Sequence, residues 1–333
     1  MRASLARPCL GIVLGAGLVT LATLPVPALA AETNATAAEA PVQRVSLAEL
    51  RKTFGKPGDK YLTLKGVELR YRDEGPRDAP VLLLNHGSRS TLNQWDGVAA
   101  HLKARYRIVR FDMPANGLSG PLSDAGKAAV GSPEALVAGF LDALKIDKVN
   151  IAGVSSGGTL SYYFAAAYPQ RVENLILSNT PSNAVPNLKV TTPADLAAAT
   201  ARAKQTGIEG RDFWSAYLGS LYGEKSRMAP GLVDYYYRTN LRVKEPNVTG
   251  LHALTANADK TMAQLAKVTA PVLLVWGMRD YVLPAEQAHD LEKYLVNARS
   301  RSFVALDTVG HYPPMESPEA VADVMDAFIR RDR

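Results

Sequence analysis

Apolar and polar positions alternate along residues 61–64 and 67–71, on either side of Lys65-Gly66. That period of two, broken by a turn dipeptide, predicts an antiparallel hairpin. Residues 80–85 (PVLLLN) form a continuous apolar run instead, as expected of a strand covered on both faces. Residues 106–111, 149–152, 172–177, 271–276 and 302–306 are further strand candidates. Between them the spacing becomes helical over 94–104, 133–144, 156–168, 285–296 and 318–330. A hairpin followed by repeated strand–helix units predicts an α/β fold, with a mostly parallel sheet and helices on both faces.

The alternation stops between about residues 181 and 270, in a stretch rich in helix formers and aromatics: Phe213, Trp214, Tyr217, Tyr222 and Tyr235-Tyr236-Tyr237. It is too long for a bare loop. Three or four helices fit, with breaks near Gly207, Pro230-Gly231 and Pro246. The expectation is a helical cap over one end of the sheet, at about residues 183–268. Its aromatics are expected first to pack its own core.

The first thirty residues follow neither period. They hold no Asp, Glu or Lys; Arg2 and Arg7 precede an apolar run from Cys9 to Leu24, and Ala28-Leu29-Ala30 closes it with small residues. This is the pattern of a secretory signal peptide, residues 1–30, and the run is short for a membrane span. Residues 31–45 read as a flexible leader and 46–333 as the folded domain. The expectation is an exported protein, periplasmic or secreted, with no stable membrane anchor after cleavage.

Cleavage changes what composition implies. The chain has 333 residues, one cysteine and a net charge of +6. Without residues 1–30 it has 303 residues and no cysteine, and loss of two arginines brings the charge to +4. No disulfide or Cys-based zinc site can then form. The basic balance is not gathered into a Lys/Arg run, so nucleic acid is not an expected partner. No glycine-rich phosphate loop follows the first strand of the strand–helix series. Neither cofactor nor metal is expected, and the partner is a small-molecule substrate of a monomer.

The candidate chemistry sits at strand ends. The strand at 149–152 runs into Gly153-Val154-Ser155-Ser156-Gly157-Gly158, a G-x-S-x-G at a strand-to-helix turn. Helix and strand approach closely there, so the positions two on either side of the serine must be small. Centring on Ser156 would put Val154 at one of them; Ser155 is therefore the nucleophile candidate. A serine needs a base, and the histidines are His86, His101, His252, His289 and His311. His101 and His289 fall in predicted amphipathic helices, and His252 falls in the insertion. His86 ends a strand and is expected to brace its loop. His311 lies beyond the last strand, on the side where ligands gather in such sheets, and is the base candidate. The base needs a carboxylate partner. Asp280 follows the strand at 271–276, whereas the strand ending near Ser178-Asn179-Thr180 offers no acid. The expected oxyanion donors are the amides of Ser156 and of Ser88, which follows Gly87 after the PVLLLN strand.

Together these residues resemble the α/β-hydrolase superfamily, in its capped, single-domain, esterase-like branch. The resemblance runs from about residue 61 to 329. It includes His86-Gly87 with Trp95, Asp112-Met113-Pro114-Ala115-Asn116-Gly117-Leu118-Ser119, Ser155 with its glycines, Tyr168-Pro169, Gly277 with Arg279-Asp280, and Gly310-His311. One departure is Ala115, where the family usually has Gly, which bears on a turn and not on the chemistry. Relatives with Asp in place of Ser155 cleave epoxides or carbon–halogen bonds, and relatives with Cys act on dienelactones; the serine disfavours both. The resemblance implies a serine hydrolase that cleaves a carboxylic ester or lactone of a small or medium apolar substrate. The same branch holds carbon–carbon bond hydrolases and aminopeptidases, the latter needing acids such as Glu209, Asp212, Glu224 or Asp234 to hold an amine. A non-catalytic ligand-binding protein is the alternative from another class.

Overall fold

The structure is a computed structural model describing residues 43–182, 190–243 and 258–331. Its strands are β1 (Lys60–Leu64), β2 (Val67–Glu74), β3 (Val81–Asn85), β4 (Arg107–Phe111), β5 (Val149–Val154), β6 (Val172–Ser178), β7 (Val272–Gly277) and β8 (Arg301–Leu306). They form one sheet in the order β1-β2-β4-β3-β5-β6-β7-β8. β1 and β2 are the expected antiparallel hairpin, β2 also runs antiparallel to β4, and the remaining neighbours are parallel.

The strands that read as continuous apolar runs are covered on both faces. Leu83, Val109, Ile151, Leu175 and Leu274 point into one core cluster, and Leu82, Leu84, Ile108, Ile176 and Leu273 into the other. The helices are α1 (Leu47–Phe54), α2 (Asp96–Leu102), α3 (Asp124–Val130), α4 (Pro133–Ala143), α5 (Ser156–Ala167), α6 (Ala194–Thr206), α7 (Arg211–Leu221), α8 (Leu232–Asn240), α9 (Ala258–Leu265), α10 (Ala285–Tyr294), α11 (Pro313–Glu316) and α12 (Pro318–Arg330). α4, α5 and α10 pack on the first face, α2 and α12 on the second.

Some element expectations shift. The helix expected over 94–104 opens with a 3₁₀ turn at Leu92–Trp95, because Thr91 caps it one turn early. α1 and α3 were not anticipated; each is fastened by a serine N-cap, Ser46 and Ser123, not by a long apolar stripe. Val45, the last residue of the expected leader, bridges to Arg242 in parallel. The breaks at Gly207 and Gly231 are left-handed residues at helix ends; Pro246 and His252 lie outside the described residues, as does the proposed signal segment.

The topology fixes where a site can form. From β3 the chain goes to β4 on one side, and from β5 it goes to β6 on the other, while β3 and β5 are neighbours. The crevice beyond their carboxyl ends is the switch point at which ligands bind in open α/β sheets. Ser88 follows β3, and Ser155 and Ser156 follow β5.

Candidate active site

Ser155 adopts φ 53, ψ −129, a strained conformation for a residue with a side chain. The glycines around it make that turn possible. A Cβ on Gly153 would lie 2.2 Å from the Gly157 carbonyl oxygen, and one on Gly157 would lie 2.3 Å from that of Asn85. The turn is held by Ser155 N–H donating to Ser178 O at 3.0 Å.

The structure brings Ser155, His311 and Asp280 together from three loops. His311 Nε2 lies 3.0 Å from Ser155 Oγ and its Nδ1 lies 2.6 Å from Asp280 Oδ2. Both the imidazole and the carboxylate are buried. Asp280 Oδ1 accepts from the amides of Val282 (2.7 Å) and Leu283 (3.0 Å), and Oδ2 also accepts from Asn179 Nδ2 (2.7 Å). With Asp280 accepting on every side, Nδ1 is the donor and Nε2 turns its lone pair to the Ser155 hydroxyl. His101 instead meets Asp323 at the surface, and His289 stacks on Phe303.

Ser88 and Ser156 also meet: Ser88 Oγ donates to Ser156 Oγ at 2.9 Å. Ser156 supplies the first amide of α5, where no preceding turn offers an acceptor. The loop before it is braced by Gln94 Oε1, which accepts from Gly87 N at 2.7 Å, and by Tyr312 Oη, which donates to Ser88 O at 3.2 Å. His86 has the bracing role expected of it. Its Nε2 accepts from Met113 N at 2.9 Å, so its Nδ1–H donates to Gly87 O at 2.7 Å. Burial holds its pKa below the ordinary value, which keeps the ring neutral and able to accept.

Three contributors escaped sequence reasoning. Asn179 is fully buried at φ 38; besides donating to Asp280 it accepts from Gly277 N at 2.9 Å. Glu316, also buried, accepts from the amides of Gly310 (2.8 Å), Gly223 (2.9 Å) and Glu224 (2.9 Å). It ties the loop carrying His311 to the end of α7, where Leu221 O accepts from His311 N at 2.7 Å. Gly223 permits that approach, since a Cβ there would fall 2.3 Å from Thr308 O.

The aromatics after β6 do more than pack one another. Phe213, Trp214 and Tyr236 are core residues of the α6–α8 cluster. Tyr217, however, reaches Tyr312 Oη at 3.5 Å, and Tyr235 and Tyr236 bond to Thr91 Oγ1 (2.9 Å) and Ser90 Oγ (2.7 Å). The four acids expected above as candidates to hold an amine are engaged with arginines: Glu209 with Arg89, Asp212 with Arg202, Glu224 with Arg227 and Asp234 with Arg211.

A pocket of about 230 Å³ opens beside Gly87, Ser88 and Ser156, walled by apolar residues such as Leu122, Val130, Leu136 and Leu160. A roomier hollow of about 540 Å³ between α1 and α8 touches none of the five candidate residues. Among the described residues no cluster of His, Cys, Asp and Glu could hold a metal ion.

A family model described as alpha/beta hydrolase fold matches residues 80–318. The chain belongs to the α/β-hydrolase family. Within that family it is similar to a 2-hydroxy-6-oxononadienedioate/2-hydroxy-6-oxononatrienedioate hydrolase of Cupriavidus pinatubonensis, at 26% identity over 81% of this chain and 94% of the relative. It is similar to a bifunctional esterase/perhydrolase of Acinetobacter calcoaceticus, at 27% identity over 81% of this chain and 99% of the relative. Among solved structures it resembles Cfl2 of Burkholderia cenocepacia, with a TM-score of 0.66 and 25% identity over 82% of this chain and 95% of that one.

Proposed function

We propose that this α/β-hydrolase cleaves a carboxylic ester or lactone of a small or medium substrate through an acyl-enzyme on Ser155. The reading rests on one observation: a buried imidazole lies within hydrogen-bond reach of both Ser155 Oγ and Asp280 Oδ2. Ser155 attacks the carbonyl as His311 Nε2 takes its proton. Asp280 orients the ring and stabilises the imidazolium. The oxyanion settles on the Ser88 and Ser156 amides. His311 then returns the proton to the leaving oxygen, and water attacks the acyl-enzyme by the same route in reverse. The apolar walls of the adjacent pocket suit an acyl group of modest size.

The esterase/perhydrolase named above supports acyl chemistry, and the oxononadienedioate hydrolase keeps carbon–carbon cleavage as a second reading. Aminopeptidase activity is disfavoured, because Glu209, Asp212, Glu224 and Asp234 already face arginines. The N-terminal segment supports export, which the N-terminal sequence of protein recovered outside the cytoplasm would test.

Rapid mixing with aryl esters distinguishes these readings. An acyl-enzyme route predicts a burst of about one equivalent of aryl alcohol, absent from Ser155→Ala. Turnover of a ring-cleavage ketone with no ester hydrolysis would favour carbon–carbon cleavage. Binding of esters without turnover would point to a non-catalytic protein.

A further inference from the structure

The pocket beside Ser88 and Ser156 carries a charge pattern that apolar packing does not require. Its walls are largely apolar, and its charged lining residues are both cations, Arg89 and Lys127, with no carboxylate among them. Arg89 is already paired with Glu209 and lies over the rings of Phe213, Trp214 and Tyr217. Lys127 is different. It stands exposed on α3, and among the described residues no carboxylate pairs with it. An exposed lysine is well solvated, yet one at the mouth of an apolar pocket acts on whatever enters, because the low-dielectric walls strengthen its field.

The location also says which part of a substrate would meet it. In the proposed reaction the leaving oxygen must face His311 Nε2 to receive its proton. The pocket is lined by the loops after β3 and β4, by Ser156 and Leu160 of α5, and by α3 and the start of α4; Ser155, His311, Tyr312 and the loop carrying Asp280 do not line it, so it opens on the side of the Ser88 and Ser156 amides. What fills it is therefore attached to the carbonyl carbon and not to the leaving oxygen. We propose that the preferred substrate is an ester whose acyl portion is an apolar chain ending in an anionic group, a carboxylate in the simplest case, which Lys127 holds at the pocket mouth. This rests on the Ser155 reading above and adds to it the charge and the end of the molecule that bears it.

The test uses pairs of 4-nitrophenyl esters with a common leaving group: hemiesters of adipic, pimelic and suberic acids against esters of the monocarboxylic acids of equal length. For at least one length kcat/KM should favour the hemiester by about two- to fivefold at low salt, and the preference should shrink at 0.5 M salt. Lys127→Met should bring the ratio to about one or below, Lys127→Glu should invert it, and Lys127→Arg should keep it. Moving the charge to the leaving group, as in 4-acetoxybenzoate against phenyl acetate, should give no Lys127-dependent preference. Hydrolysis of the neutral esters with hemiesters no better, and a ratio unmoved by Lys127→Met, overturns the proposal and leaves the Ser155 reading standing. Failure to hydrolyse either kind overturns the Ser155 reading itself.

Discussion

Asn179 positions one of the proposed catalytic residues without touching the nucleophile. Its side-chain amide donates to the same Asp280 oxygen that meets His311. A hydrogen bond to a charged group contributes about 1.5–3 kcal/mol. Asn179→Ala should therefore lower kcat by roughly 10- to 100-fold. An unchanged kcat in Asn179→Ala would make Asn179 a packing residue only. His86 offers a second residue-scale prediction. Its pKa is held below 6.5 by burial, although the charge of Asp112 works against this. The unfolded chain takes up a proton near pH 6.5 that the folded chain refuses. The stability from keeping His86 neutral is thus complete above that pH and declines below it, by up to about 1.4 kcal/mol per unit. Denaturant titrations at pH 7.5 and 5.5 should show a larger loss for the native protein than for His86→Asn. Asp59 and Asp73 do not confuse this window. Burial would raise both, but their arginine partners pull them below 3.8, so they act at lower pH. Ala115 is the third case. It sits at φ 62, where the resembled family usually places Gly, and its N–H still donates to Gly120 O at 2.8 Å. Ala115→Gly should raise stability by about 0.5–1 kcal/mol, measurable by thermal denaturation.

At the scale of elements, the loop bearing His311 depends on a buried carboxylate from the short helix that follows it. Glu316 takes three amide protons, from Gly310, Gly223 and Glu224. Glutamine in its place offers one acceptor oxygen and turns an amide group toward those donors. Glu316→Gln should cost about 2–3 kcal/mol of stability and lower kcat, as read by urea unfolding and ester turnover; unchanged values for both would remove Glu316 from the account. These elements also show what the sequence made legible. PVLLLN announced a strand covered on two faces, and glycines two residues either side of Ser155 marked a turn where strand and helix approach closely. The missing acid after β6 turned attention to Asp280, the carboxylate that meets His311 in the structure. Glu316 was hidden because P-P-M-E-S-P reads as the start of a surface helix, and only the crossing of Gly223 over Gly310 buries it. Asn179 was hidden because its partners lie about 100 residues away and meet it only through the pairing of β6 with β7. α3 was hidden because seven residues with an internal glycine give little periodicity. Yet α3 carries the lysine on which the proposed substrate preference turns.

At the largest scale the described residues form one sheet with a core on each face and a smaller apolar cluster among α6, α7 and α8. The inner strands β3 to β7 bury both faces, whereas α6 and α8 keep exposed faces and hold few buried residues. Local stability should follow that difference. In native-state hydrogen exchange, amides of β3, β5, β6 and β7 should be the slowest, and those of α6 and α8 should exchange measurably faster. Equal protection throughout would mean that the helical segment unfolds only with the sheet. That segment also touches the site, through Leu221 O, Gly223 and Tyr217, so its loosening would be felt at His311 before the sheet gives way.

The central claim is that Ser155 is a nucleophile activated by His311 and Asp280. Its most direct test is treatment of the full-length protein with a fluorophosphonate probe, followed by intact-mass and peptide mass spectrometry. One adduct per chain is predicted, on Ser155, absent from Ser155→Ala and formed far more slowly in His311→Ala. No adduct in the native protein, or an adduct that persists undiminished in Ser155→Ala, would contradict it.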